Sequence, residues 1–386
     1  MTAQTENGGL PLRFSARSRR AYSAGCGDGR NMEEMTAAKK KRKAIGVLIF
    51  ILINAAVIWF TAMSEYRKGG SAQNFFTIRV HWMYLVPTSA CFLAAISAEI
   101  SKYAVMMKKL CGRVRFKTVY EVTLLGRYFD NITPSGIGGQ PFQIYYLSKN
   151  GIPAGDCAVM PVAAFINMQS AFCIIAIVMF ILRGSVISQP AIHVAAYIGL
   201  VLYMGLPFII ILFTLAPVWT EKAVRWFINL FAKMHLVKDP EGTNSAAIAT
   251  LQDYRTDIIE LMKVRGLAVI LLALSIVYQA GICSMPYFVI RMFGGHMSWA
   301  DALATTMFIY AAIAFIPTPG NAGAAEGSFY LVFSMLTQGH IFWAMLVWRF
   351  FCYYIYIIWG IAIYARNYIS DRRHAGKSAP PPAPEQ

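Results

Sequence analysis

Charged residues are scarce in this chain of 386 residues: they make up 14% of it, whereas hydrophobic residues make up 57%. Soluble globular domains contain about 25% charged residues, so the composition excludes an ordinary soluble protein. The mean hydropathy of +0.49 points the same way. A chain of this kind is better divided into membrane-spanning segments of about 20 residues each.

The sequence also lacks the patterns of a disulfide framework, a metal site or a catalytic centre. Its seven cysteines are odd in number, and no two of them form a Cys-x-x-Cys pair. None of its six histidines has the His-x-x-x-His spacing of a zinc site, and no arrangement of nucleophile and base is visible. We therefore predict no metal, no other cofactor and no catalytic residue.

Acidic residues are few relative to basic ones, 19 against 35, which gives a net charge of +16. Such an excess is typical of nucleic-acid-binding proteins, but no RNA- or DNA-binding motif accompanies it here. The basic residues lie instead at the edges of apolar segments. We therefore expect a membrane setting and no nucleic-acid partner.

Six apolar segments are long enough to cross a bilayer as helices. They cover residues 44–63, 82–106, 155–182, 191–216, 264–291 and 341–365. Two further apolar segments, 118–148 and 299–337, are each interrupted by a cluster of proline and glycine. Broken backbone is tolerated in a membrane only where protein or water surrounds it, so we predict two re-entrant helical hairpins. The predicted fold class is an all-α polytopic membrane protein.

The polar segments set the predicted domain boundaries. Residues 1–43 are basic and without periodicity, which predicts a disordered tail, and we predict another over 366–386. The integral membrane domain is expected over 44–365, with one long polar loop at 217–265. Aromatic and basic residues interleave in that loop, which predicts a helix lying on the anionic membrane surface.

Lysine and arginine predict the orientation, because cytoplasmic loops collect them. With the N-terminus inside, 27 of the 35 fall in cytoplasmic segments and five in external ones. The other three, Lys102, Arg127 and Arg349, lie within embedded segments. We therefore predict a multi-pass protein with both termini in the cytoplasm.

The two halves of the membrane domain match each other with opposite predicted topology. Repeat one covers 44–182 and repeat two covers 191–365. Thr133, Pro134 and Gly138 of the first hairpin recur as Thr318, Pro319 and Gly323, and Asn321 replaces Gly136, as a left-handed backbone position permits. Glycine and proline are common in membrane helices, but two matched clusters in inverted repeats favour a transport site near mid-membrane.

Three segments carry a resemblance to a known family: GRYFDNITP at 126–134, GGQPFQ at 138–143 and PTPGNAGAAEG at 317–327. In these the chain resembles the membrane region of lysylphosphatidylglycerol synthase, a flippase-like family of bacterial inner-membrane proteins. The resemblance extends over about residues 44–365. It departs from the family pattern at Gln140 and Gln143, where many members have glutamate and arginine, so a neutral amide pair would replace an ion pair here.

The resemblance implies translocation of a phospholipid across the bacterial inner membrane, with aminoacylated or anionic phosphatidylglycerol as the substrate. The family's synthase activity resides in a separate soluble domain, and the soluble segments of this chain are shorter than such a domain. Phosphatidylglycerol lysyltransferase activity with a catalytic domain from another chain therefore stays open, as does a non-transporting envelope scaffold. A second copy of the chain and a separate lipid-modifying enzyme are the protein partners left open.

The first hairpin supplies most of the candidate substrate-binding residues. A helix that restarts at Gly138 and Gly139 would direct free N–H groups and the positive end of its dipole into a cavity, which suits a lipid phosphate. Asp130 and Asn131 are interpreted either as polar lining or as helix termination. The full set in this hairpin is Arg127, Asp130, Asn131, Thr133, Pro134, Gly136, Gly138, Gly139, Gln140 and Gln143.

The second hairpin supplies the remaining candidates, with one residue from the last span. They are Thr318, Pro319, Gly320, Asn321, Gly323, Glu326 and Arg349. Glu326 lies in the first turn of its half-helix, where a carboxylate compensates the helix dipole. It would bind the ammonium of an aminoacylated lipid or carry a proton, or instead cap the helix and pair with Arg349. Both interpretations stay open.

Other polar residues receive structural interpretations. Glu99 and Lys102 are three residues apart, which predicts a local ion pair whose lysine reaches toward the membrane surface. Glu121 and Asp301 are placed near membrane edges. Tyr145 and Tyr146 are interpreted as interfacial anchors.

Overall fold

The computed structural model describes residues 79–377, except for 135, 137, 187–189, 234–238, 264–265, 314–315 and 334–339, together with Trp59 and Met63. The predicted N-terminal tail lies outside the described residues, and so does the first predicted span except for those two positions.

The described part of the chain is helical and contains no strand, which confirms the all-α fold class. In chain order the helices are α1 Leu85–Cys111, α2 Phe116–Ile132, α3 Gly139–Lys149, α4 Ala154–Arg183, α5 Pro190–Leu215, α6 Pro217–Lys233, α7 Pro240–Lys263, α8 Leu267–Met292, α9 Trp299–Ile313, α10 Ala324–Phe333, α11 Ile341–Arg349 and α12 Ile355–Lys377.

Within the described residues, five helical segments are long and apolar enough to cross a membrane, at the positions predicted for the last five spans. They are Trp82–Cys111, Asp156–Val186, His193–Leu212, Leu267–Met292 and Ile341–Asn367. A single helix with about 20 apolar residues satisfies its own backbone hydrogen bonds across the hydrocarbon layer. The protein is therefore a multi-pass membrane protein.

Helices α1 and α8, the second span of repeat one and the second span of repeat two, pack against each other. Close approach depends on Gly281, where an added Cβ would lie 2.8 Å from the carbonyl oxygen of Cys91 and 3.2 Å from the Cβ of Ala95. Small residues of this kind allow membrane helices to approach each other closely. Helix α2 of the first hairpin packs on α1, and α9 of the second hairpin packs on α8.

Each predicted hairpin is a pair of short helices separated by an interruption. Helices α2 and α3 pack together on either side of the first break, and α9 and α10 on either side of the second. Gly136 and Asn321, which correspond in the two repeats, both have left-handed backbone, with φ of 65° and 55°. The expectation for Asn321 is thus confirmed, whereas the depth of the hairpins in the bilayer remains a prediction.

The last span and the segment after it differ from the prediction. Helix α12 continues to Lys377, so residues 366–377 are helical and not a disordered tail, and residues 378–386 lie outside the described part. The last span also widens into a π-helical turn over Phe350–Tyr354, directly after Arg349. A π-helical turn inside a helix is frequent at functional sites.

The polar loop contains helices α6 and α7. Each begins with a proline, which suits the first helical position because its missing N–H needs no partner there. Helix α6 exposes Trp219, Trp226 and Phe227. This exposure agrees with the predicted interfacial helix, whose contact with a membrane remains a prediction.

Candidate functional site

The two interruptions meet in space. Pro134 of the first hairpin and Pro319 of the second form an isolated antiparallel backbone bridge. The structure thereby brings together the two motifs that the sequence singled out as a pair.

Side chains at the end of α2 cap the start of α3. Thr133 Oγ1 accepts a hydrogen bond from the N–H of Gly138 at 2.9 Å and donates one to the carbonyl oxygen of Phe129 at 2.7 Å. Asp130 Oδ1 accepts from the N–H of Gly139 at 2.8 Å. A Cβ on either glycine would collide with the side chain that caps it, so these close approaches require glycine.

These caps correct the prediction of a free anion site at the start of α3. Two of the N–H groups expected to face a cavity already have side-chain acceptors, and Pro141 has no N–H to offer. Gln140 supplies the remaining N–H of this turn. The prediction was wrong because Asp130 and Thr133 fold back over the break and occupy the place assigned to a lipid phosphate.

Four charged side chains form a connected group beside this hairpin. Glu99 contacts Lys102 at 2.7 Å and Arg127 at 3.2 Å, and Arg127 lies 4.0 Å from Asp130. The guanidinium of Arg127 stacks over the ring of Tyr278, 4.7 Å from its centroid. We call Glu99, Lys102, Arg127 and Asp130 the four-charge cluster. It joins α1 and α2, and Tyr278 adds a contact from α8.

Burial within the four-charge cluster corrects the interpretation of Lys102. Its side chain is fully buried, so it does not reach toward the membrane surface. A buried lysine needs a partner, and Glu99 provides one. The side chains of Arg127 and Asp130 keep 24% and 19% of their exposure, and a ligand would therefore meet these two members first.

The second hairpin holds a separate ion pair. Glu326 Oε1 lies 2.7 Å from Nε of Arg349, and both side chains are buried. The other oxygen of Glu326 accepts the N–H of Gly323 at 2.8 Å, just before α10 begins. Glu326 therefore caps its half-helix and pairs with Arg349 at once, which is the structural interpretation left open by the sequence.

Arg349 connects the last span to the second apex. Its two terminal nitrogens donate to the carbonyl oxygens of Gly320 and Asn321, each at 3.4 Å. The guanidinium also lies 5.1 Å from the ring centroid of Tyr353, within the π-helical turn. Gly320, with φ of 56°, packs so closely on Tyr353 that a Cβ would collide with the ring.

The remaining predicted site residues have smaller roles in this geometry. Gln143 is buried and donates to the carbonyl oxygen of Val122 at 3.4 Å, so it ties α3 to α2. Asn131 and Gln140 are half-buried. Thr318 directs its backbone N–H to the carbonyl oxygen of Ile316 at 2.8 Å and accepts the N–H of Asn321 at 3.1 Å within the apex.

Glu121 is a polar centre that the sequence did not indicate. Glu121 is 1% exposed. Its carboxylate accepts hydrogen bonds from Tyr146 on α3 and from Arg366 and Asn367 on α12. The predictions of a membrane-edge position for Glu121 and an anchoring role for Tyr146 miss this contact. No sequence signal connects α2 with residues so far along the chain.

These features define an all-α polytopic membrane protein in which two matched pairs of broken helices meet at their apices and hold buried charges. The family described as lysylphosphatidylglycerol synthase TM region matches residues 43–360 of this chain, which therefore belongs to that family. The resemblance seen in the hairpin segments is thereby confirmed.

One curated relative is a UPF0104 membrane protein from Archaeoglobus fulgidus. It is 24% identical over 327 residues, which cover 82% of this chain and 94% of the relative. No solved structure matches this chain.

Proposed function

We propose that this protein moves a phospholipid between the two leaflets of the membrane, with the headgroup passing beside the joined hairpin apices. The observation that carries the proposal is the bridge between Pro134 and Pro319, which unites the two broken helix pairs at one place. Broken helices at corresponding positions of two repeats are typical of transporter binding sites.

The distribution of charge supports a polar path at this place. A charged group inside a membrane protein is costly unless it has a partner, and such groups usually mark substrate or ion pathways. Here Arg127 and Asp130 lie at the accessible end of the four-charge cluster, whereas Glu326 and Arg349 are sealed beside the second apex. The accessible pair is the part of the site that suits a headgroup.

We propose phosphatidylglycerol, or its aminoacylated form, as the substrate. The guanidinium of Arg127 presents donors in a fork that fits the phosphate oxygens of either lipid. The proposed setting is the bacterial inner membrane with both termini in the cytoplasm. The first hairpin would then enter from the cytoplasm and the second from outside.

The test is transbilayer movement of fluorescent phosphatidylglycerol and lysylphosphatidylglycerol in liposomes that contain the purified protein. We expect movement faster than in protein-free liposomes. Gly138→Ala should abolish the increase, because its Cβ would displace Thr133 from the cap of α3. Gly205→Ala in α5 is the matched control, since a Cβ there meets open space.

Two results would overturn the proposal. One is a rate equal to that of protein-free liposomes with both lipids, from protein that keeps its helix content. The other is full activity in Gly138→Ala, which would place any translocation path away from the joined apices.

A further inference from the structure

The members of the four-charge cluster do not compensate one another equally. Glu99 touches both cations, Lys102 at 2.7 Å and Arg127 at 3.2 Å. Asp130 approaches only Arg127, and at the longer distance of 4.0 Å. Electrostatic attraction falls with distance, so Asp130 is the less strongly held of the two carboxylates.

Asp130 is also the more accessible carboxylate. Its side chain is 19% exposed, against 6% for Glu99. Its oxygen Oδ1 accepts the N–H of Gly139, which begins α3, and its oxygen Oδ2 faces Arg127. One carboxylate therefore connects the charge cluster to the break in the first hairpin.

A phosphate bound to Arg127 would occupy the place that faces Asp130. With all four groups ionised the cluster has no net charge. A phosphate that binds Arg127 would then share its guanidinium with two carboxylates, those of Glu99 and Asp130. A proton on Asp130 would leave a net charge of +1 and remove the like charge nearest the ligand. Protonation and phosphate binding would then favour each other.

The other titratable groups near Asp130 are expected to keep their charge when a ligand binds, so Asp130 is the group that takes up a proton. Glu99 and Tyr103 on α1, Arg127 on α2 and Tyr278 on α8 interact with Asp130, whereas Lys102 contacts Glu99 and Tyr356 on α12 contacts Tyr278. The tyrosines are neutral at physiological pH. Lys102 stays in contact with Glu99 whether or not Arg127 turns toward a ligand.

We propose that Asp130 takes up one proton when a phospholipid phosphate binds to Arg127, so that headgroup binding is coupled to proton binding. This inference rests on the proposed function, for which it supplies a coupling ion. The proton comes from bulk solvent and returns there when the phosphate leaves. No covalent bond to the lipid forms or breaks.

The first experiment measures proton uptake directly. Phosphatidylglycerol in detergent micelles is added to the solubilised protein in a weakly buffered solution that contains a pH-sensitive dye. We expect uptake approaching about one proton per lipid bound. Asp130→Asn keeps an oxygen that can accept from Gly139 but cannot take up a proton, so uptake should disappear.

The second experiment measures binding of the same lipid at several pH values. Wild-type affinity should rise by up to about tenfold for each unit by which the pH falls, as linkage to one proton requires. Asp130→Asn should show a flat profile at the affinity of the wild type at low pH. Asp301→Asn, which neutralises a carboxylate paired with Arg183 outside the cluster, should keep the wild-type profile.

The outcomes separate this inference from the proposed function. Lipid movement in liposomes without proton uptake, or with a pH profile that Asp130→Asn leaves unchanged, would overturn the coupling and leave translocation intact. Proton uptake lost in Asp130→Asn, without lipid movement, would support the coupling and overturn translocation. Neither signal in the wild type would overturn both. An equal response to glycerol phosphate would assign the site to soluble phosphate esters and overturn the lipid assignment.

Discussion

Glu326 and Arg349 form a buried ion pair with 2.7 Å between Oε1 and Nε, and each also binds the backbone of the second apex. The carboxylate caps α10, and the guanidinium holds the carbonyl oxygens that precede it. One pair of side chains thus fixes the position of the half-helix relative to the last span. This arrangement gives the second hairpin a structural support that the first hairpin obtains from Asp130 and Thr133.

Removing one member of this pair should be costly. We expect Glu326→Gln to lower the free energy of unfolding by about 3–5 kcal/mol, because it leaves Arg349 buried without a counter-charge. Thermal unfolding in detergent, followed by circular dichroism, measures the change.

The double variant Glu326→Leu with Arg349→Met is the control. It should recover most of the stability, because replacing a buried pair by apolar residues is often neutral. A double variant as unstable as Glu326→Gln would show that the pair does not act as a unit.

Gly320 should tolerate no side chain. Gly320→Ala combines an unfavourable left-handed backbone with a collision against the ring of Tyr353, so we expect a loss of about 1–3 kcal/mol. Gly205→Ala, in a helix with open space around it, should change stability little or raise it slightly. Equal melting temperatures for the two variants would contradict the close approach.

Asn321 offers a milder test of the same apex. Its φ of 55° favours glycine, so Asn321→Gly should keep the stability of the wild type, whereas Asn321→Val should lose about 1–2 kcal/mol. The measurement is chemical or thermal unfolding of the three proteins side by side. A valine variant as stable as the glycine variant would mean that this backbone position is not left-handed.

Glu121 should hold the end of α12 against the first hairpin. We expect Glu121→Gln to weaken its bonds to Arg366 and Asn367 and to speed amide hydrogen exchange over residues 366–377. Exchange in α8 should stay unchanged. If residues 366–377 exchange equally in both proteins, the contact does not restrain this end of the helix.

The predicted orientation can be tested with single cysteines, in a background without the native ones. Lys109→Cys should react with membrane-impermeant reagents only from the cytoplasmic side, because it is exposed in the last turn of α1, at the start of a segment rich in basic residues. His296→Cys, which follows α8, should react only from outside. The opposite pattern would reverse the topology.

The sequence predicted the elements that depend on local composition. Long apolar runs located five spans, and proline with glycine located both interruptions, because the effect of these residues on the backbone is local. The left-handed position of Asn321 followed from its match to Gly136. Each of these features can be inferred from a short window of residues.

The contacts that the sequence did not reveal join distant parts of the chain. Lys102 was expected to reach the membrane surface, since its partner Glu99 was visible but the burial created by α2 and α8 was not. The sequence left Asp130 between polar lining and helix termination, because its hydrogen bond to Gly139 depends on how the break folds back. The convergence of α3 and α12 on Glu121 likewise depends on tertiary packing.

The measurement that tests the central claim most directly is the rate of phosphatidylglycerol movement in liposomes containing the wild type, Arg127→Gln or Arg183→Gln. Arg127→Gln removes the cation proposed to meet the phosphate and leaves Glu99 paired with Lys102. Arg183 is half-exposed and pairs with Asp301 away from the apices.

We predict faster movement with the wild type and with Arg183→Gln than without protein. Arg127→Gln should lose about tenfold or more of that increase, as expected for one charged hydrogen-bonding contact. No acceleration by the folded wild type, or equal rates for the two arginine variants, would contradict a translocation path at the four-charge cluster.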